Sequence, residues 1–452
     1  MATVQHRICI VGAGLTGSLL ALYLAKRGIK SVIYEKRPDF RNISPDRNRT
    51  IAMSLSERGW HALKEVDMLE TVQQIGAPKY GRATYRLEGT PMLQHYGKSH
   101  QAIYTVNRRD LNNLLLEKAE STGMIEFCFE HTCTDIDFDT NTADLLNTAD
   151  GAARQERFDF IFGADGGLSS VRDLMERNTD HSFQTQVLSC AYKELEMPPL
   201  DTVSEKVLLD YLHIWVSSHA FIMAQMCCDG SFISTLFNDL EGTHSFNQIR
   251  KEEDVVGYFN TRFPSLKKYV PNILSQYFAN PTSNIHTVEC PRWNYKDRSL
   301  LIGDAAHAMA PFYGMGMNTC FEDCSIFNGL LDEFGGNMSE AITHFTGRRK
   351  KDADLMARLS LKNFDSITAS IAPTYDAKWK LERLIAEHYP ELFTPQYVLI
   401  AFTRMPISRV LEKADNQNRM IENILKEAHP DIFTNRKVLE QSLEKYFVET
   451  GQ

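Results

Sequence analysis

The chain has 452 residues, of which 43% are hydrophobic and 24% charged. This is an ordinary globular composition, which excludes a fibre or a disordered chain and predicts about two to four structural units. With 49 basic against 58 acidic residues the formal charge is −9, and no Lys/Arg tract is denser than Arg348–Lys351, so nucleic acid is excluded as a partner: phosphate neutralisation dominates that affinity.

In chain order, Met1-Ala-Thr-Val-Gln-His-Arg leads without a signal-peptide pattern into the apolar run Ile8–Val11, which suits a buried parallel strand. Leu19, Leu20, Leu22, Tyr23 and Leu24 then repeat at helical spacing up to Arg27-Gly28. Ser31–Tyr34 is a second strand ending at Glu35, which completes a βαβ unit. Residues 102–130 predict strand, helix and strand (Ala102–Val106, Arg108–Ser121, Ile125–Glu130). The alternation from 132 to 147 predicts a hairpin turning at Thr140-Asn141, and Phe158–Phe162 is another buried strand. From 183 to 295 the texture is β-rich and antiparallel. The first texture returns at Ser299–Asp304, and the chain is helical after 316.

The expected architecture is therefore α/β. A Rossmann-like nucleotide-binding domain (1–182, completed by 296–334) is interrupted by an antiparallel β-sheet substrate domain (183–295) and followed by a C-terminal helical domain (335–452) that caps the substrate site. Nine cysteines occur without a C-x-x-C pair, so free thiols are expected, with neither a disulfide framework nor a metal site. No stretch reaches about 18 apolar residues, so a soluble, cytoplasmic protein without a membrane anchor is expected.

Three segments carry chemistry. Gly12-x-Gly14-x-x-Gly17 lies between strand and helix, and Glu35 follows its last glycine by 18 residues. The first glycine makes the tight turn, the second admits a pyrophosphate, the third allows close helix packing, and the acid takes ribose hydroxyls. Gly163-Ala164-Asp165-Gly166-Gly167 follows a buried strand. Gly303-Asp304-Ala305-Ala306-His307 does the same and is followed by Pro311, Gly314, Gly316 and Asn318. Each Asp ends a strand, where it serves either a nucleotide or the next helix as a cap.

The order and spacing of these segments resemble the single-component FAD-dependent aromatic hydroxylases of the para-hydroxybenzoate hydroxylase-like class. Further segments are similar to the kynurenine 3-monooxygenase family: Arg47-Asn48-Arg49-Thr50-Ile51, Leu55–Gly59, Gly81-Arg82, Tyr96-Gly97, Val106-Asn107-Arg108, Tyr192–Leu195 and Leu212–Trp215. The resemblance covers nearly the whole chain. It implies FAD held by Gly12, Gly14, Leu15, Thr16, Gly17, Glu35, Lys36, Arg37, Arg108, Asp165, Gly166, Asp304, Pro311, Gly314, Gly316, Met317 and Asn318. It implies an aromatic amino-acid substrate gripped by Arg82, Tyr96, Asn363 and Tyr397, its ring lined by Ile222, Leu236, Phe237, Pro311 and Phe312. Without the resemblance, Arg82 reads as a surface residue and the tyrosines and apolar residues as core.

The implied reaction is hydroxylation of L-kynurenine to 3-hydroxykynurenine through a flavin C4a-hydroperoxide. NADPH and O2 are co-substrates, and the flavin, not a catalytic side chain, carries the chemistry. No second G-x-G-x-x-G is present for NADPH. His307 is expected to pack or touch the cofactor. A homodimer is compatible with the resemblance.

The chain departs from the family at Met315 (family Gln), at Tyr313 (family His or Phe) and at Phe364-Asp365-Ser366-Ile367 (family aromatic-x-Glu-Met). These departures leave open a hydroxylase of another tryptophan-derived or indole metabolite. A halogenase is set aside because Trp60, Trp215, Trp293 and Trp379 are isolated. A non-catalytic FAD-binding protein would not consume NADPH.

Overall fold

The computed structural model describes residues 6–42, 51–87, 90–98, 100–197, 209–230, 232–270, 272–370, 373–427 and 430–449. Arg47–Thr50, Met1–Gln5 and residues 450–452, used in the sequence reading above, lie outside the described residues.

The α/β class expected from the sequence is the one observed. One sheet runs in the order Asn294–Tyr295, Ser299–Leu301, Phe160–Gly163, Ile8–Val11, Ser31–Glu35, Ile125–Phe129. All its pairings are parallel except the one with the outermost strand Asn294–Tyr295. Its central strand is an unbroken apolar run because both faces are covered. Helix Leu15–Lys26 is buried along most of its length between helices Arg108–Ser121 and Gly316–Glu333. The expected hairpin is a three-stranded antiparallel meander (His131–Asp137, Thr142–Asn147, Ala153–Arg157), with Asn141 in the left-handed region at φ 56°. Asparagine tolerates that conformation because its short polar side chain bonds locally.

The second large sheet has seven strands in the order Ser283–Glu289, Gln184–Met197, Phe232–Asp239, Ala220–Met226, Tyr211–Ser217, Gly81–Tyr85, Met92–His95. The last two come from well ahead of the stretch read as β-rich, and Gly81–Tyr85 joins parallel to Tyr211–Ser217. One face of this sheet packs on helices Glu252–Arg262 and Ile273–Ala279 around Trp215, Ile222, Leu236 and Tyr258. The opposite face carries Ile214, Val216, Phe221 and Phe237 against Phe312 and Ile367.

Strand Ile103–Asn107 sits between Ala52–Leu55 and Ala77–Lys79 in a small antiparallel sheet. The chain ends in helices, the longest being Met338–Ala369, followed by Pro373–His388, Gln396–Phe402, Ile407–Glu427 and Arg436–Glu449. Among the described residues no helix is long and apolar enough to cross a membrane.

Candidate active site

Two cavities abut. The first, about 340 Å³, lies at the carboxyl ends of the parallel strands. Twelve of the residues expected at a cofactor line it: Gly12, Gly14, Leu15, Thr16, Glu35, Lys36, Arg37, Arg108, Asp165, Gly166, Asp304 and Met317. This is the crevice where open α/β sheets bind ligands.

The glycines divide their work. Gly12 has φ +107°, and a Cβ there would lie 2.6 Å from the carbonyl oxygen of Ala164. At Gly14 a Cβ would meet nothing within 4 Å. Helix Leu15–Lys26 has no side-chain cap and no acid in its first turn, so its free N–H groups suit a pyrophosphate. Gly17 does not line the cavity: its Cβ would fall 2.0 Å from the Gly12 carbonyl oxygen, so its part is close packing of the turn.

Glu35 Oε2 accepts from the Ala13 amide at 3.0 Å, and Oε1 accepts from the Arg37 amide and Nε at 3.0 and 2.8 Å. Burial pushes this carboxyl up, but the hydrogen bonds and charge of Arg37 outweigh it and hold the group below the usual carboxylate range. Asp165 is committed to helix Ser170–Asn178, accepting from Ser169 Oγ, Ser170 N and Ser170 Oγ at 2.5, 2.7 and 2.9 Å. The cap reading therefore describes its carboxylate. Asp304 is exposed to the cavity, with Cys320 Sγ donating to it at 3.5 Å. These groups fit the ribose and pyrophosphate of FAD.

Four other expected cofactor residues fall outside this cavity. Asn318 is fully buried: its Oδ1 accepts from Ser56 N at 2.8 Å, and its Nδ2 donates to the Ser54 and Gly314 carbonyls at 2.7 and 3.3 Å. With its polar atoms spent, it braces the loop. Gly314, at φ +71°, lines the second cavity instead. Gly316 opens helix Gly316–Glu333 against Met309. Pro311 opens a short 3-10 turn, is exposed, and lines neither cavity. Sequence reasoning missed Met53, His131, Thr132, Cys133 and Cys320; no local motif marks them.

The second cavity, about 590 Å³, is lined by Arg82, Tyr96, Asn363, Tyr397 and Phe312 among the expected substrate residues. Met53 and Met317 line the first cavity where Ser54 and Gly314 line this one, so the two meet at those segments. Arg82 donates from Nη2 to the Tyr375 hydroxyl at 2.8 Å and from Nε to Gln94. The Tyr96 and Tyr397 rings are 5.0 Å apart, and Tyr313 lies 5.6 Å beyond Tyr397. Burial raises all three phenols, Tyr313 to about 12, so at neutral pH they are hydrogen-bond donors. Asn363 Nδ2 donates to the Phe312 carbonyl at 2.7 Å.

The apolar lining corrects the sequence reading. Ile222 and Leu236 face away from the cavity, in the core on the other face of the sheet. Side chains alternate along a strand, and Ile222 is in register with Trp215 and Leu236 on that outer face. The cavity takes the alternate residues, Ile214 and Met223. Phe237 is on the correct face but stands behind Phe312, at 5.5 Å between rings. Of the departures, Tyr313, Ser366 and Ile367 line the cavity, whereas Met315 is buried beside Met356 and Ile400.

His307 touches neither cavity. Its Nε2 lies 2.6 Å from Asp323 Oδ2 and its ring 4.9 Å from Trp293. Asp323 also accepts from Gly303 N and Arg349 Nε at 3.1 and 2.6 Å. Arg349 pairs with Glu322 at 2.9 Å, and Arg58 pairs with Glu322 while donating to the carbonyls of Ile400 and Met405. This buried charge chain runs from beside Asp304 to the C-terminal helices.

The family profile described as FAD binding domain matches residues 5–229 and 272–341. Kynurenine 3-monooxygenase of Flavobacterium johnsoniae is 34% identical over 424 residues, covering 93% of this chain and 94% of that protein. Kynurenine 3-monooxygenase of Legionella pneumophila is 35% identical over 422 residues, covering 93% of each. Among solved structures, 2-methyl-3-hydroxypyridine-5-carboxylic acid oxygenase superposes with a TM-score of 0.68 at 18% identity, over 82% of this chain and 94% of that one. PqsL of P. aeruginosa in complex with 2-aminobenzoylacetate superposes with a TM-score of 0.62 at 18% identity, over 81% and 99%. At that identity these two likenesses speak for the fold alone.

Proposed function

Because the chain belongs to the kynurenine 3-monooxygenase family of FAD-dependent hydroxylases, we propose that it hydroxylates L-kynurenine at ring carbon 3, with NADPH as reductant. One oxygen atom of O2 enters the ring and the other leaves as water, while NADPH and a proton yield NADP+. The carrying observation is a guanidinium among four tyrosines, Arg82 with Tyr96, Tyr313, Tyr375 and Tyr397, in a cavity that abuts the nucleotide crevice.

The chemistry that FAD supplies when bound is two-electron exchange with the reductant and activation of O2. The chain's residues bind and orient. Gly12, Gly14 and the N-terminus of helix Leu15–Lys26 hold the pyrophosphate, and Glu35 and Asp304 take ribose and ribityl hydroxyls. Arg82 pairs with the substrate carboxylate, a geometry that suits a guanidinium. Tyr96 and Tyr397 donate to the same carboxylate, and Asn363 fixes the turn that carries Phe312. Phe312, backed by Phe237 and Phe364, forms an apolar wall that holds the ring and excludes water.

In this reading residues 1–182 and 296–334 form the cofactor unit, 183–295 the substrate sheet and 335–452 a helical cap, with Gly81–Tyr85 and Met92–His95 lent to the sheet. The enzyme works in the cytoplasm, where its cysteines stay reduced.

The test is NADPH oxidation by the FAD-loaded enzyme with and without L-kynurenine, with the product weighed by mass spectrometry. Strong stimulation with one added oxygen atom is expected; no stimulation overturns the substrate. Tyr313 and Ser366, both on the cavity wall, favour one second reading, another tryptophan-derived or indole metabolite, which the same assay addresses.

A further inference from the structure

We infer that Glu382 recognises the α-ammonium group of the substrate, forming with Arg82 a pair of opposite charges that reads both ends of an α-amino acid's zwitterion. This rests on the kynurenine reading above and adds a residue that determines specificity.

Helix Pro373–His388 turns one face to the second cavity: Tyr375, Lys378, Trp379 and Glu382, at i, i+3, i+4 and i+7, all line it. Tyr375 on that face already bonds Arg82. Glu382 is one of the cavity's charged groups, with only 25% of its side chain exposed. Its nearest cation, Lys378 Nζ, lies 3.9 Å away, beyond hydrogen-bond range, and donates instead to Asn418 Oδ1 at 3.0 Å. Among the described residues no hydrogen bond reaches the Glu382 oxygens. A carboxylate held largely out of water without such partners is costly. Burial accordingly pushes its pKa up, against the lowering fields of Lys378 and Arg82. The Lys378 charge at 3.9 Å offsets that cost only in part.

Arg82 and Glu382 line the same cavity, and the helix face that carries Glu382 also carries Tyr375, which accepts from Arg82. The carboxylate and ammonium of an α-amino acid sit on a single carbon, so groups that read them must lie close together. Arg82 spends Nε and Nη2 on Gln94 and Tyr375 and keeps further N–H donors for a carboxylate. Glu382 has acceptor sites for an ammonium's three donors.

The experiment is calorimetric titration of the FAD-loaded enzyme with L-kynurenine and with its analogue lacking the α-amino group, 4-(2-aminophenyl)-4-oxobutanoate. The wild type should bind L-kynurenine at least about tenfold tighter than the analogue. Glu382→Gln should weaken L-kynurenine by about 10- to 100-fold and shift the analogue less than about twofold, with Glu382→Asp in between. Equal binding of the two ligands by the wild type overturns the assignment without recourse to any variant, as does an equal loss of both ligands in Glu382→Gln. If the wild type binds the analogue but L-kynurenine no better, Glu382 fails while the pocket reading stands. If it binds neither, the kynurenine reading itself fails and takes the assignment with it.

Discussion

Arg82 and Tyr375 meet at 2.8 Å although 293 residues separate them. One is on a strand of the seven-stranded sheet and the other on a C-terminal helix, so the guanidinium that faces substrate also ties that helix to the sheet. Arg82→Met should raise KM for L-kynurenine by about 30- to 5000-fold, since truncating one member of a buried charge pair costs about 2–5 kcal/mol. FAD content should stay unchanged. Tyr375→Phe removes one hydrogen bond and should cost about 2- to 10-fold. Steady-state kinetics on the two variants checks both, and equal effects would undo the assigned hierarchy.

Glu35 joins the Ala13 amide to Arg37 at the mouth of the nucleotide crevice. Replacing it by alanine removes hydrogen bonds to a charged group, each worth about 1.5–3 kcal/mol. FAD should then dissociate about 10- to 100-fold more readily, read from the flavin absorbance retained after gel filtration. Retention equal to wild type would place the ribose elsewhere.

Lys79 is 1% exposed, and its Nζ donates only to the Pro78 carbonyl, at 3.3 Å, among the described residues. Burial pulls its pKa down to about 8, against the raising fields of Asp210 and Cys227. The unfolded chain therefore binds this proton more tightly than the native state between pH about 8 and about 10.5, and stability rises with pH across that window. Below pH 8 both states are protonated and the full burial cost is present. Lys79→Met should raise the melting temperature at pH 7, and the gain should shrink toward pH 10. A pH-independent difference between the two proteins would mean that burial of the charge is not the cause.

Arg349 holds two carboxylates, Glu322 and Asp323, in a buried cluster. Arg349→Met leaves both underpaired and should destabilise by about 3–5 kcal/mol, seen as a lower urea midpoint. The double change Arg349→Met with Asp323→Asn should recover part of the loss, because it removes one of the stranded charges.

What could be read in advance follows chemical locality. The glycine turn, Glu35 and Asp304 lie within short segments whose spacing encodes their geometry, so twelve cofactor positions fell on one cavity wall. Ile222 and Leu236 were misplaced because a strand buried on both faces has no polar alternation to show which residue faces the substrate; Met223, one residue along, does. The bracing role of the Asn318 side chain had no local signal because its partners, Ser54 and Ser56, lie more than 260 residues away. The parallel seat of Gly81–Tyr85 beside Tyr211–Ser217 had no local signature either, since a long crossover leaves no turn motif. The buried network of Arg58, Glu322, Arg349 and Asp323 had no local signature, since Arg58 and Glu322 lie 264 residues apart.

The position of Ser299–Leu301 beside Phe160–Gly163 has a consequence for biosynthesis. Until that late strand leaves the ribosome, the nascent chain carries a fully apolar, unpaired sheet edge, the kind that templates aggregation. At about 5–20 residues per second the exposure lasts roughly 7–30 s. Soluble yield in a heterologous host should therefore depend on chaperone supply and growth temperature more steeply than the stability of the finished enzyme does.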